Sequence, residues 1–119
     1  MRGREWNQVR QGARRCWAGL AGLLLATGVH ANDPEALVAK GKLLFTQQAV
    51  PACAVCHTLQ DARSKGAVGP NLDELKPDAQ RVANAVRQGL GNMPSFRDSL
   101  SDDDVEALAR YVSKVSAAR

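Results

Sequence analysis

The feature that most constrains this chain is the run Cys53-Ala54-Val55-Cys56-His57. Two thiols and an imidazole stand within five residues, and little else in the sequence offers a staple to fold on. The chain has three cysteines and two histidines. The remaining ones, Cys16 and His30, lie in an N-terminal stretch of different character. Cysteines at this spacing serve four kinds of structure: a local disulfide, half of a zinc site, a thiol-exchange centre, or the anchor of a covalently held haem. The surrounding sequence has to separate them.

The N-terminal stretch reads as a leader. Arg2, Arg4, Arg10, Arg14 and Arg15 precede an apolar run of 14 residues, Cys16–Val29, and Val29 and Ala31 occupy the small-residue positions of a cleavage site. That order describes a secretory signal over residues 1–31. The run is short and rich in Gly and Ala, which disfavours a permanent membrane span. Cleavage after Ala31 leaves a domain of 88 residues, 32–119. It also changes the charge. The whole chain carries +4, but residues 1–31 hold five of its 16 basic and one of its 12 acidic residues, which leaves 11 of each. The basic balance of the whole chain is therefore no evidence for nucleic-acid binding, which needs basic surface on the folded domain. Both tryptophans leave with the leader, so Phe45, Phe96 and Tyr111 are the aromatics that remain. A domain of this size and composition builds a modest core and needs a disulfide, a metal or another staple.

Helical patterns dominate what remains. In residues 33–47 Asp33 stands as N-cap and Pro34 at the first helical position, and Leu37, Val38, Gly41, Leu44 and Phe45 fall along one face. In residues 76–89 Pro77 marks a helix start, Ala79, Val82, Ala85 and Val86 form a stripe, and Gly89 supplies the stop. The last helix is the best signed: Ser101 and Asp104 form a capping box, Leu100 and Val105 a staple, and Asp102–Asp104 suit the positive end of the helix dipole. Val105, Leu108, Ala109, Val112 and Val115 make its apolar face. Two glycine-containing loops, residues 60–75 and 89–96, show no periodicity, and no strand alternation is visible. The fold class is all-α, with three to four helices around something central.

That pattern sorts the cysteine readings. A disulfide between positions three apart closes a tiny loop and stabilises little. Zinc takes four ligands, usually from two such pairs, and residues 32–119 contain Cys53, Cys56 and His57 without a second pair. Thiol exchange expects a strand-to-helix junction in a βαβ unit. The fourth reading requires a histidine directly after the second cysteine, and His57 stands there. On one helical turn both thiols face the same way and can reach the two vinyl groups of one porphyrin. The next residue then brings its imidazole to the iron.

With these residues in hand, the sequence resembles the short bacterial class I c-type cytochromes, over residues 35 to 116. The resemblance rests on GKLLF with Gly41 and Phe45, CAVCH, GPNL, MPSF, and LARYV with Tyr111 near the crossing of the terminal helices. It implies the cytochrome c fold around one covalently bound haem c. It implies thioethers to Cys53 and Cys56, with His57 and Met93 as axial iron ligands. It also implies that the Pro70 carbonyl accepts a hydrogen bond from His57. Met93 is the one methionine in residues 32–119, and a thioether is a common partner of histidine in electron-carrying haems. Two family features are missing: a tryptophan for a haem propionate and a lysine-rich collar for acidic partners. Arg63, Lys65, Asn71 and Arg81 are the candidate propionate partners. Val50, Pro51, Ala52, Ala54 and Val55 flank the cysteines and suggest a small apolar docking patch, with brief encounters weakly dependent on salt.

The implied function is a monomeric periplasmic carrier, not an enzyme, moving single electrons between a periplasmic dehydrogenase and a respiratory acceptor by transient docking. It would bind no nucleic acid and insert in no membrane once the signal is removed. Two other readings stand beside it. One is a haem subunit of a specific oxidoreductase complex, for example one oxidising a sulfur compound. The other is a gas- or peroxide-binding haem protein with an open sixth position.

Overall fold

The computed structural model describes residues 33–119. The expected leader over residues 1–31, with Cys16 and His30, lies outside the described residues. Helix starts follow their caps. The Asp33 carboxylate accepts from the Glu35 amide at 2.9 Å, and Pro34 opens helix α1, Pro34–Leu43. The chain then widens into π winding over Leu44–Gln48, where the sequence pattern reads as one uninterrupted α-helix. The Ala49 amide donates five residues back to Leu44 at 3.1 Å. Leu44, Phe45 and Ala49 are all buried as a result. The Val50–Pro51 peptide bond is cis.

The middle of the chain is short-range structure. A single helical turn, α2, spans Cys53–Cys56. A ribbon of two antiparallel strands follows, β1 Thr58–Leu59 and β2 Ser64–Lys65, paired Thr58 to Lys65 and Leu59 to Ser64. These strands correct the expectation of a strandless chain; two residues per strand leave no alternation to read. A second single turn, α3, covers Leu72–Leu75, started by the Asn71 side chain accepting from the Asp73 amide.

Helix α4 spans Ala79–Gln88. Its cap is Asp78, whose carboxylate accepts from the Arg81 amide at 2.7 Å, so Pro77 lies one residue outside the helix. Gly89 ends it at φ +73°. Helix α5, Asp102–Ala117, carries the expected capping box: Ser101 Oγ accepts from the Asp104 amide at 3.2 Å and Asp104 Oδ2 from the Ser101 amide at 3.1 Å.

The core lies where α1 and α4 pack on α5, with α3 touching α5 as well. Because α5 has neighbours on several sides, Ala107, Tyr111 and Ser116 are buried along with Val105, Leu108, Ala109 and Val112 of the expected face, while Val115 is half-buried. The α1–α5 crossing turns on Gly41. A Cβ there would stand 2.5 Å from Tyr111 Cβ and closer still to the Ala107 carbonyl oxygen. Without a side chain, the two backbones touch. One turn on, the Phe45 ring meets the edge of Tyr111 with centroids 5.9 Å apart. The Lys40–Asp104 ion pair, 2.7 Å, ties α1 to the start of α5. Among the described residues no helix is long and apolar enough to cross a membrane.

Candidate haem site

Residues 51–57 build one side of the site. Ala52 is extended, at φ −66° and ψ 138°, and the chain then turns once through α2. The His57 amide closes that turn on the Cys53 carbonyl at 2.9 Å. The i and i+3 spacing puts both sulfurs toward one cavity and leaves Val55, between them, exposed. Burial pushes the Cys53 thiol up to about 11. The His57 Nδ1–H donates to the Pro70 carbonyl at 2.9 Å, which leaves Nε2 free to bind something else. Two glycines make room for this packing. A Cβ on Gly69 would strike the His57 ring, 2.5 Å from Cε1, and a Cβ on Gly66 would stand 2.6 Å from the His57 amide nitrogen.

Residues 89–96 build the other side, from the end of α4. Gly89 and Gly91 take positive φ of 73° and 56°, the conformations glycine adopts without strain. Leu90 and Met93 then exchange backbone hydrogen bonds of 3.1 and 2.9 Å. The Phe96 amide donates to the Val86 carbonyl at 2.9 Å and Ser95 Oγ to the Arg87 carbonyl at 2.6 Å. The methionine loop is thereby pinned to the last turn of α4.

Between the two sides lies a cavity of about 360 Å³. Cys53, Cys56, His57, Pro70 and Met93 all line it. The rest of the wall is largely carbon, from Phe45, Leu72, Val82, Val86, Phe96 and Leu108 among others. Helical periodicity marks Phe45, Val82, Val86 and Leu108 as core, whereas Leu72 and Phe96 fall in loops without periodicity, and no local pattern says that any of them faces a cavity. Of the four candidate propionate partners, Arg81 lines the cavity and Arg63 and Lys65 do not. Asn71 does not either; its side chain caps α3. Asn92, which the sequence reading missed, is a lining residue. The proposed apolar patch also changes. Val50, Pro51 and Val55 are exposed, whereas Ala52 and Ala54 are half-buried. Exposed Val68 and Leu90, from other loops, line the same cavity as Pro51. A wider hollow of about 560 Å³ between α1, α4 and α5 is lined in part by ion-paired Arg110 and Glu106 and offers no thiol or imidazole.

A flat apolar group held by two thiols, with an imidazole and a thioether in the same wall, fits this lining. Comparison with known proteins agrees. The family model described as "Cytochrome C oxidase, cbb3-type, subunit III" matches residues 36–112. The chain belongs to this family of cytochrome c domains. Cytochrome c-551 of Pseudomonas aeruginosa is 34% identical over 93 residues, which is 76% of this chain and 85% of the relative. Cytochrome c6 of Leptolyngbya boryana is 33% identical over 64 residues, 50% of this chain and 75% of the relative. The crystal structure of the c-type cytochrome SorU from Sinorhizobium meliloti is 52% identical, with a TM-score of 0.67, over 69% of this chain and 93% of that one. The chain is a monohaem c-type cytochrome with one covalently bound haem c, and its class is electron transport.

Proposed function

We propose that this cytochrome is a periplasmic single-electron carrier. Cys53 and Cys56 hold the haem thioethers, His57 and Met93 are the axial iron ligands, and the Pro70 carbonyl orients His57. The observation that carries this reading is the convergence of all five residues on one apolar cavity. The bound haem supplies a one-electron ferric–ferrous couple. The chain's residues set the conditions for it. The hydrogen bond from His57 Nδ1 to Pro70, 2.9 Å, fixes the ring and makes the imidazole a better donor. The soft Met93 sulfur and the water-excluding lining favour the reduced state. The loop of residues 89–96, pinned to the last turn of α4, would hold Met93 against the iron with little rearrangement on transfer. Exposed Val50, Pro51, Val55, Val68 and Leu90 give partners an apolar surface, in keeping with transient docking to a donor dehydrogenase and a respiratory acceptor. The leader pattern in residues 1–31 supports export.

Ligation is tested by the spectrum. The ferric protein should show the weak far-red band of methionine–haem ligation, and Met93→Ala should remove it. Rapid carbon monoxide binding by the ferrous wild type, with no such band, would refute Met93 as a ligand. Cys53→Ala and Cys56→Ala should each lower covalent haem; normal holoprotein from both would refute the attachment sites. The family description names an oxidase subunit, and it favours a second reading as the haem subunit of a specific oxidoreductase complex. Co-purification with one catalytic partner and turnover with that donor alone would select it.

A further inference from the structure

The segment from His57 to Pro70 is a closed lasso. It leaves His57 as β1, turns at residues 60–63, returns as β2, and comes back to the imidazole at the Pro70 carbonyl. Its internal ties are short. Thr58 Oγ1 donates to the Gly66 carbonyl at 2.9 Å, the Gly69 amide donates to the Cys56 carbonyl at 2.8 Å, and Gly66 presses on the Cys56–His57 peptide. These ties hold the lasso to itself and to the end of α2 without fixing it on α1, α4 or α5. Leu59, fully buried, is its apolar anchor, and the Gln60 amide donates to Asp73 Oδ2 at 2.8 Å. At its tip, Asp61 Oδ2 accepts from the Tyr111 hydroxyl at 2.7 Å and pairs with Lys42 Nζ at 3.0 Å.

Both partners of Asp61 belong to the α1–α5 crossing. Tyr111 is buried against Phe45 and Gly41, and Lys42 follows Gly41 on α1. A hydrogen bond to a carboxylate is stronger than a neutral one, and cutting it would strand a buried hydroxyl. The protonation states suit the bond. Burial, with Asp61 next, pushes the phenol far up, and the Tyr111 hydroxyl and Lys42 hold Asp61 below its usual range.

We propose that Asp61, through its bond to Tyr111, is a positioning residue for His57: it locks the lasso to the α1–α5 crossing and so sets the orientation of the imidazole. The redox consequence rests on His57 being an axial ligand, as proposed above; the mechanical link rests on the hydrogen bonds alone.

The test uses holoprotein and two readouts. Amide exchange at Gly69 reports lasso closure and does not depend on ligation. The hyperfine-shifted His57 ring resonances and the reduction potential report the imidazole. Tyr111→Phe keeps the ring and its packing. It should speed Gly69 exchange roughly tenfold or more relative to the α4 amides, the scale of one bond to a charged group. Asp61→Ala should do the same, and Asp61→Ala with Tyr111→Phe should be no faster than Asp61→Ala alone. Asp61→Asn keeps an acceptor oxygen and should fall nearer wild type. The His57 resonances and potential should shift in the same order. Unchanged Gly69 exchange in Tyr111→Phe, or additive effects of the two substitutions, would overturn the link. Faster exchange with unmoved His57 resonances would make Asp61 a stability residue only and overturn its positioning role. A wild type without hyperfine-shifted His57 resonances would refute His57 ligation itself, and Gly69 exchange would still decide the link. If Asp61→Ala gives no holoprotein, Tyr111→Phe and Asp61→Asn decide the matter.

Discussion

Gly41→Ala isolates what holds the two terminal helices together. The added methyl would stand 2.5 Å from Tyr111 Cβ and 2.8 Å from the Ala107 carbonyl carbon, where ordinary contact begins at 3.4 Å. The shortfall against Tyr111 is about 0.9 Å, and a gap of that order forfeits roughly a quarter to a half of the dispersion well of the atoms it separates. No rotamer can relieve it, because the obstacles are backbone and a Cβ. Overpacking costs about 1–3 kcal/mol, and a backbone obstacle argues for about 3. Alanine returns about 1 kcal/mol of helix propensity. The expected net loss is about 2 kcal/mol, or about 8–16 °C in the melting temperature of a domain this small. Thermal unfolding of the holoprotein, followed by far-ultraviolet circular dichroism, measures it. A loss under about 0.5 kcal/mol, the range of an ordinary surface change, would refute the close-approach reasoning. Gly91→Ala is the control. A Cβ there meets nothing within 4 Å, but its φ is +56°. It should cost about 1–2 kcal/mol from left-handed backbone alone, and Gly91→Asn should recover most of that.

Other perturbations test the site and the caps. Gly69→Ala drives a methyl into the His57 ring, so it should weaken the far-red band at constant Soret absorbance and shift the reduction potential; an unchanged spectrum would mean that the ring does not need that space. Ser101→Ala removes half of the capping box and should cost about 1 kcal/mol, read as a lower urea midpoint at constant slope. The Lys40 ammonium, with Ser101 second, pulls the Asp104 carboxyl down to about 2. A carboxyl lowered in the folded state stabilises fully above its ordinary value of 3.8, and that stabilisation is lost as pH falls through about 2. Lys40→Met should therefore narrow the stability difference between about pH 5 and about pH 2; an undiminished difference would place the acid sensitivity elsewhere.

Local features were legible in residue order. Caps at Asp33 and Ser101 and the stop at Gly89 could be read before folding, because each depends on residues a few positions apart; the crossing of Gly41 and Tyr111 was implied by the family resemblance instead. The π winding at Leu44–Gln48, the two-residue strands and the turn α3 could not be read. They are too short to leave a period. Pro77 marked the start of α4, and the cap itself is the next residue, Asp78, whose carboxylate can accept from a free amide.

By itself, the sequence determined the chemistry available: two thiols on one helical turn with an imidazole directly after it, a single methionine in residues 32–119, and apolar stripes to enclose them. Tertiary structure decided which of those groups share a wall. Spacing along the chain brings Cys53, Cys56 and His57 together, since one turn of helix spans them. Met93 reaches the same cavity because α4 packs on α5 and its end is pinned back on itself. Pro70 reaches His57 because Gly69 leaves room for the ring and Gly66 for the Cys56–His57 peptide. The bond from Tyr111 to Asp61 spans 50 residues. No local pattern encodes such a bond, and it exists only once the helices have crossed.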